Sequence, residues 1–222
     1  MESPPDSAER LFGPRLPDAQ RYAGLLVTAG VERGLIGPRE ADRIWSRHLV
    51  NCAAIAEAFP ADARVVDVGS GAGLPGIALA LARADLSLDL VEPLARRAEF
   101  LTEVVDELGL AGQVRVTRGR AEEPAIRESA GATSWVTARA VAPLDRLVRW
   151  CLPLLAPGGR LVAMKGSQAA NELAEHRQTL LRLGVSSMDV MECGVGLVDP
   201  AVTVVVIERG AERASRKSKG RR

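Results

Sequence analysis

The chain reads as an α/β fold built on a seven-stranded, mostly parallel sheet with its last strand reversed and an N-terminal helical extension in front. Three observations predict it. From about residue 61, short β-branched runs alternate with amphipathic stretches, so successive strands are joined by right-handed helical crossovers. A glycine-rich turn follows the first run directly. Two β-rich runs close the pattern with no convincing helix between them, so they pair antiparallel at one edge.

Taken in order, residues 1–17 hold four prolines and no periodicity, and read as a disordered or extended leader. Residues 18–60 form a helical extension of two or three helices: Tyr22, Leu25 and Leu26, then Ile44, Trp45, Leu49, Cys52 and Ile55, recur at helical spacing, broken near Gly34 to Pro38. Residues 61–208 are the main domain. Its strands are expected at 64–69, 87–92, 113–119, 133–140, 159–166, 185–192 and 202–208. Helices are expected from Pro75, over 94–108, from Pro143 and over 169–183, with a short turn after the third strand.

Composition narrows the class. The 222 residues are 47% hydrophobic and 26% charged, which is ordinary for a globular domain and excludes a fibrous or disulfide-stapled chain. No apolar run is long enough to span a membrane and the acidic N-terminus is not a secretory signal, so a cytoplasmic protein is expected. Cys52, Cys151 and Cys193 are scattered, without the spacing of a metal site, and read as buried free thiols. The net charge of +1 divides unevenly: residues 209–222 carry +6 and the rest −5. Such a basic tail is expected to be disordered and drawn to polyanions.

The turn VVDVGSGAGLPGIALALA (65–82) places glycines between a strand and a helix, where open α/β sheets bind ligands. Gly69 and Gly71 let the backbone approach a ligand closely. A phosphate-binding P-loop is excluded, because no Gly-Lys-Ser/Thr follows. Gly71 to Gly76 also satisfies G-x-G-x-x-G, so a nicotinamide dinucleotide competes with S-adenosylmethionine. Glu92, ending the second strand, suits the ribose hydroxyls of either. Asp67 favours S-adenosylmethionine, because it could hold a cationic amino-acid end or its bound water. The single tyrosine, Tyr22, leaves no Tyr/Lys pair for hydride transfer. A seven-stranded sheet with the last strand reversed is also the plan of Rossmann-like class I S-adenosylmethionine-dependent methyltransferases.

At this point the chain resembles the ribosomal RNA small-subunit methyltransferase G family, also called glucose-inhibited division protein B. The pieces that carry the resemblance are RHLVNC (47–52), VVDVGSGAGLPGIALAL (65–81), VEPLARRAEFL (91–101), GRAEE (119–123), ARAVAPL (138–144) and LVAMKG (161–166). The resemblance implies methyl transfer from S-adenosylmethionine to N7 of guanine 527 in 16S rRNA, within the small ribosomal subunit or its precursor. It places Gly69, Leu74, Ala121, Glu122 and Arg139 on cofactor-contacting positions. Leu74 stands where Phe is more usual and Asn51-Cys52 where Asp-Ser is common, so Asn51 receives no catalytic role. The tail lies outside the family pattern.

Guanine N7 carries a lone pair and no proton, so no general base is required. Arg139, after the fourth strand, is the leading candidate for the reacting end. Lys165, after the fifth, is assigned a phosphate contact. His48 is a candidate for touching RNA or the cofactor pocket, and Trp45, Trp135 and Trp150 read as core. The competing functions are a methyltransferase of the same fold acting on a small molecule or protein, and a ribosome-assembly module that binds a nucleoside without turnover.

Overall fold

The computed structural model describes residues 2–139 and 141–211. Strands β1 (Arg64–Val68), β2 (Ser87–Glu92), β3 (Val114–Arg118), β4 (Thr133–Arg139), β5 (Leu155–Met164), β6 (Val185–Cys193) and β7 (Val202–Arg209) form one sheet. Their order is β3-β2-β1-β4-β5-β7-β6. The pairs β1–β2, β1–β4, β2–β3 and β4–β5 are parallel, whereas β7 runs antiparallel to both β5 and β6. The chain leaves β1 toward β2 on one side and later returns to β4 on the other. The crevice at this reversal is where such sheets take ligands.

The extension holds α1 (Asp6–Phe12), α2 (Leu16–Leu25), α3 (Pro38–Ala41) and α4 (Val50–Ala54), with wide helical turns at Leu26–Gly30 and Ile44–Leu49. The domain adds α5 (Gly76–Ala82), α6 (Ala95–Glu107), α7 (Pro124–Ala130), α8 (Leu144–Cys151) and α9 (Ala169–Arg182). Side chains alternate across each strand. Val65 therefore joins the core formed with the extension, α5 and α6, while its neighbour Val66 joins the opposite core under α8 and α9.

The expected leader needs correction. Helix α1 buries Ala8 completely and leaves Phe12 2% exposed, with the Phe12 ring edge-on to Trp45 at 6.2 Å. The prolines do not prevent this, because Pro5 caps α1 while Pro14 and Pro17 sit in first turns, where no amide donor is lost. The Glu2 carboxylate also accepts hydrogen bonds from the amides of Trp45 (3.1 Å) and Ser46 (3.0 Å). The basic tail lies outside the described residues, apart from Arg209, Gly210 and Ala211. Among the described residues no helix is long and apolar enough to cross a membrane, and Cys52, Cys151 and Cys193 are free and buried.

Candidate functional site

The turn after β1 is held by its own backbone. Gly69, Gly71 and Gly73 have φ of +72°, +61° and +98°, the left-handed region where an L side chain is strained. A Cβ at Gly71 would meet nothing closer than the Gly69 carbonyl at 3.8 Å, so that face of the turn is open. At Gly76 the demand is opposite: a Cβ would lie 2.2 Å from Leu90, so only glycine lets α5 settle on the sheet.

Glu92, 1% exposed at the end of β2, accepts from the Gly71 amide through Oε2 and from the Leu94 amide through Oε1, both at 2.9 Å. Each carboxylate oxygen keeps further acceptor capacity. The acid thus ties the glycine turn to the next strand and still has lone pairs to offer.

Two cavities open on this framework. The larger, about 500 Å³, has Gly71, Leu74, Glu92, Arg97, His48 and Arg139 on its walls. The smaller, about 120 Å³, is a mostly apolar slot between Val68, Val91 and Ala121, with Glu122 at its edge. They share Gly69, Pro93 and Val141. An apolar slot for a flat ring, an acid for hydroxyls and a glycine path for a chain fit an adenosine carrying an amino-acid arm.

Arg139 lines the larger cavity. Its Nη1 donates to Cys52 Sγ at 3.0 Å, and its Nη2 lies against His48 Nδ1. His48 Nε2 is 2.9 Å from Glu40 Oε2. Burial, then the Arg139 charge, outweigh the pull of Glu40 and lower the His48 pKa to about 4, so the ring is neutral at physiological pH.

The structure brings together Gly69, Gly71, Leu74, Glu92, Ala121, Glu122, Arg139 and His48, and leaves two expected site residues out. Asp67 is fully buried and does not reach the cleft. Its Oδ2 accepts from the Gly76 amide at 3.0 Å, whereas Oδ1 has no partner, and burial raises its pKa to about 7. Its position inside β1 points it under the turn, at the start of α5, and not into the cavity. Lys165, only 14% exposed, donates to Glu172 Oε1 (3.0 Å) and the Ala142 carbonyl (3.1 Å). The same Glu172 oxygen accepts from the Leu144 amide at 2.6 Å. Lys165 therefore braces the loop that places Val141 between the two cavities, and its ammonium is occupied there.

Four residues on the framework of the cleft were not legible as such in the sequence. The Tyr22 hydroxyl donates to the Ala72 carbonyl at 2.8 Å and packs over Gly73. Cys52 and Glu40 hold Arg139 and His48. Arg97, with a buried Nε that has no partner among the described residues, lines the larger cavity. A signal existed for Cys52 alone, because four residues separate it from His48, one helical turn on the same face.

A seven-stranded sheet ending in an antiparallel strand, with a glycine turn, a β2 acid and a divided cleft at the strand reversal, is the class I methyltransferase fold. Solved structures agree. The chain is similar to precorrin-6y C5,15-methyltransferase of Geobacter metallireducens (TM-score 0.51, 13% identity, covering 79% of this chain and 91% of that one). It is also similar to an S-adenosylmethionine-dependent O-methyltransferase of Thermotoga maritima (TM-score 0.52, 16% identity, 73% and 65%). Sequence is more particular. A family model described as rRNA small subunit methyltransferase G matches residues 15–202. The chain is 62% identical over 207 residues to ribosomal RNA small subunit methyltransferase G of Salinispora arenicola, covering 91% of this chain and 85% of that protein. It is 54% identical over 219 residues to the protein of the same name from Mycolicibacterium gilvum, covering 99% and 96%. The chain belongs to the rRNA small subunit methyltransferase G family.

Proposed function

We propose that this protein transfers a methyl group from S-adenosylmethionine to N7 of guanine 527 in 16S rRNA, presented within the small ribosomal subunit or its precursor. The observation that carries the reading is the cavity wall where the Arg139 guanidinium, held by His48 and Cys52, stands with the glycine turn and Glu92 around one cleft. Family membership supports the substrate class.

The bound cofactor supplies an electrophilic methyl group on a sulfonium. The protein's own residues do the rest. Gly69, Gly71 and Leu74 would hold the amino-acid arm, Glu92 would accept from ribose hydroxyls, and Ala121 and Glu122 would hold the adenine. Guanine N7 needs no deprotonation, so the protein's task is alignment, exclusion of water and retention of a base drawn out of its stack. Arg139 suits this, because a planar guanidinium can stack on a purine or bond O6 or a phosphate while leaving N7 free. Arg97 adds a second cation lining the larger cavity for a phosphate or carboxylate. Lys165 contributes through the loop it braces.

The experiment is transfer of labelled methyl from S-adenosylmethionine to small subunits lacking the modification, followed by mapping of the methylated base. Label on an exocyclic amine, on a different nucleotide or on protein would overturn the reading.

A further inference from the structure

The wide turn Ile44–Leu49 continues into α4, and together they lay His48 and Cys52 side by side against Arg139. His48 stands between two groups of fixed chemistry. A guanidinium has only donors and a carboxylate only acceptors. Nδ1, facing Arg139 Nη2, must therefore accept, and Nε2, 2.9 Å from Glu40 Oε2, must carry the proton. One neutral tautomer satisfies both ends, and protonation would set N–H against N–H at Arg139. The charged groups around the ring are Arg139 from β4, Glu40 from α3 and Arg47 on the same turn as His48.

Glu40 is anchored in turn. Arg47 Nε lies 3.1 Å from the same Oε2. Burial works to raise the Glu40 carboxyl, but the His48 hydrogen bond and the Arg47 charge outweigh it and hold it below its ordinary value, so it stays ionised. The Glu2 carboxylate on the amides of Trp45 and Ser46 ties down the start of the same turn. Arg139 is thereby gripped by His48 and Cys52, with its remaining donors left for the cleft it lines.

We propose that Glu40 and His48 are positioning residues: Glu40 sets the tautomer and ring plane of His48, and His48 sets the orientation of the Arg139 guanidinium at the reacting end of the cleft. The proposal rests on the reading of Arg139 given above. It gives the N-terminal extension a share in the chemistry, through residues that do not touch the guanine.

The test measures single-turnover transfer to unmethylated small subunits at saturating S-adenosylmethionine, with melting temperature and the ring ¹⁵N shifts of His48 recorded alongside. Glu40→Ala should slow transfer about tenfold, the scale of a modest misplacement of a reacting group. Glu40→Gln still offers an oxygen acceptor to Nε2–H, so it should stay within about twofold of wild type. In an Arg139→Ala background, Glu40→Ala should add nothing, because coupled residues are not additive. The shifts should report the Nε2–H tautomer from about pH 5.5 to 8 without titration, and a mixture of tautomers in Glu40→Ala. Equal losses in the Ala and Gln variants, a full additional loss in the Arg139→Ala background, or a His48 titrating near its ordinary value would each overturn the proposal. If Arg139→Ala alone transfers at the wild-type rate, the reading of Arg139 fails. A slow Arg139→Ala beside an unaffected Glu40→Ala sinks only the positioning role.

Discussion

The two halves of the cleft are built differently. The nucleoside half is made of neighbours in strand order: the glycine turn after β1, Glu92 at the end of β2, and Ala121 and Glu122 after β3. Its polar contacts are backbone amides and a carboxylate, such as the Gly71 amide on Glu92. The reacting half depends on distant contacts. Arg139 is 91 residues from His48 and 87 from Cys52. The glycine turn is thus tied by contacts within the domain, whereas Arg139 is tied by residues of the appended extension.

The comparison predicts that damage to one half leaves the other standing. Arg139→Ala should lower transfer to unmethylated small subunits about a hundredfold, while calorimetric affinity for S-adenosylmethionine weakens only a few-fold. A loss confined to cofactor affinity would erase the distinction between the halves. Gly71→Val should do the reverse, because the side chain combines a left-handed φ of +61° with a place in the open cleft. Cofactor affinity should drop about thirtyfold or more, with melting temperature lowered by the strain of one residue. An unchanged affinity would move the pocket elsewhere.

Tyr22→Phe sharpens the link between halves, since it deletes only the hydroxyl that the extension places on the glycine turn. About 1 kcal/mol of stability and a several-fold loss of cofactor affinity are expected, read by urea unfolding and calorimetry. A loss of stability without any change in affinity would make Tyr22 a core residue only.

Protonation offers a comparison between the site and the element beneath it. Burial raises the Asp67 pKa to about 7, so the folded state holds a proton that the unfolded chain has released, and stability falls as pH rises from about 4 to about 7. His48 is shifted the other way, to about 4, so the unfolded chain takes the proton first and stability falls as pH drops from about 6.5 toward 4. The two slopes oppose each other. Asp67→Asn should remove only the first, so its stability relative to wild type should rise between pH 5 and pH 7.5, and urea midpoints at those two values give the sign. Transfer itself should be nearly flat from about pH 6 to 9 in single-turnover conditions, because no base removes a proton. A rate rising tenfold per pH unit would mean that one does.

The smallest effect concerns neither half. Removing residues 212–222 should flatten the salt dependence of binding to the ribosomal particle without moving the methylated position, because the tail's charges act on phosphates and not on bases. A shifted methylation site would give the tail a part in choosing the target.

The sequence by itself determined the seven strands, the reversed end, the glycine turn and the acid at the end of β2, because each is written in periodicity or in a short motif that the backbone obeys locally. It also placed Arg139 at the edge of the cleft, since that position follows from strand order. Residues 1–17 were not legible, because their prolines read as breakers until the structure set them at helix starts, where they cost no hydrogen bond. Nor were the roles of Asp67 and Lys165. A carboxylate inside β1 and an ammonium after β5 look alike whether they face a ligand or a neighbouring element. Only packing decided that Asp67 lies beneath the turn and that Lys165 meets Glu172. The same is true of Glu40, His48 and Cys52: their union with Arg139 needs the extension folded against the sheet, and contacts across nearly a hundred residues leave no period in the chain that makes them.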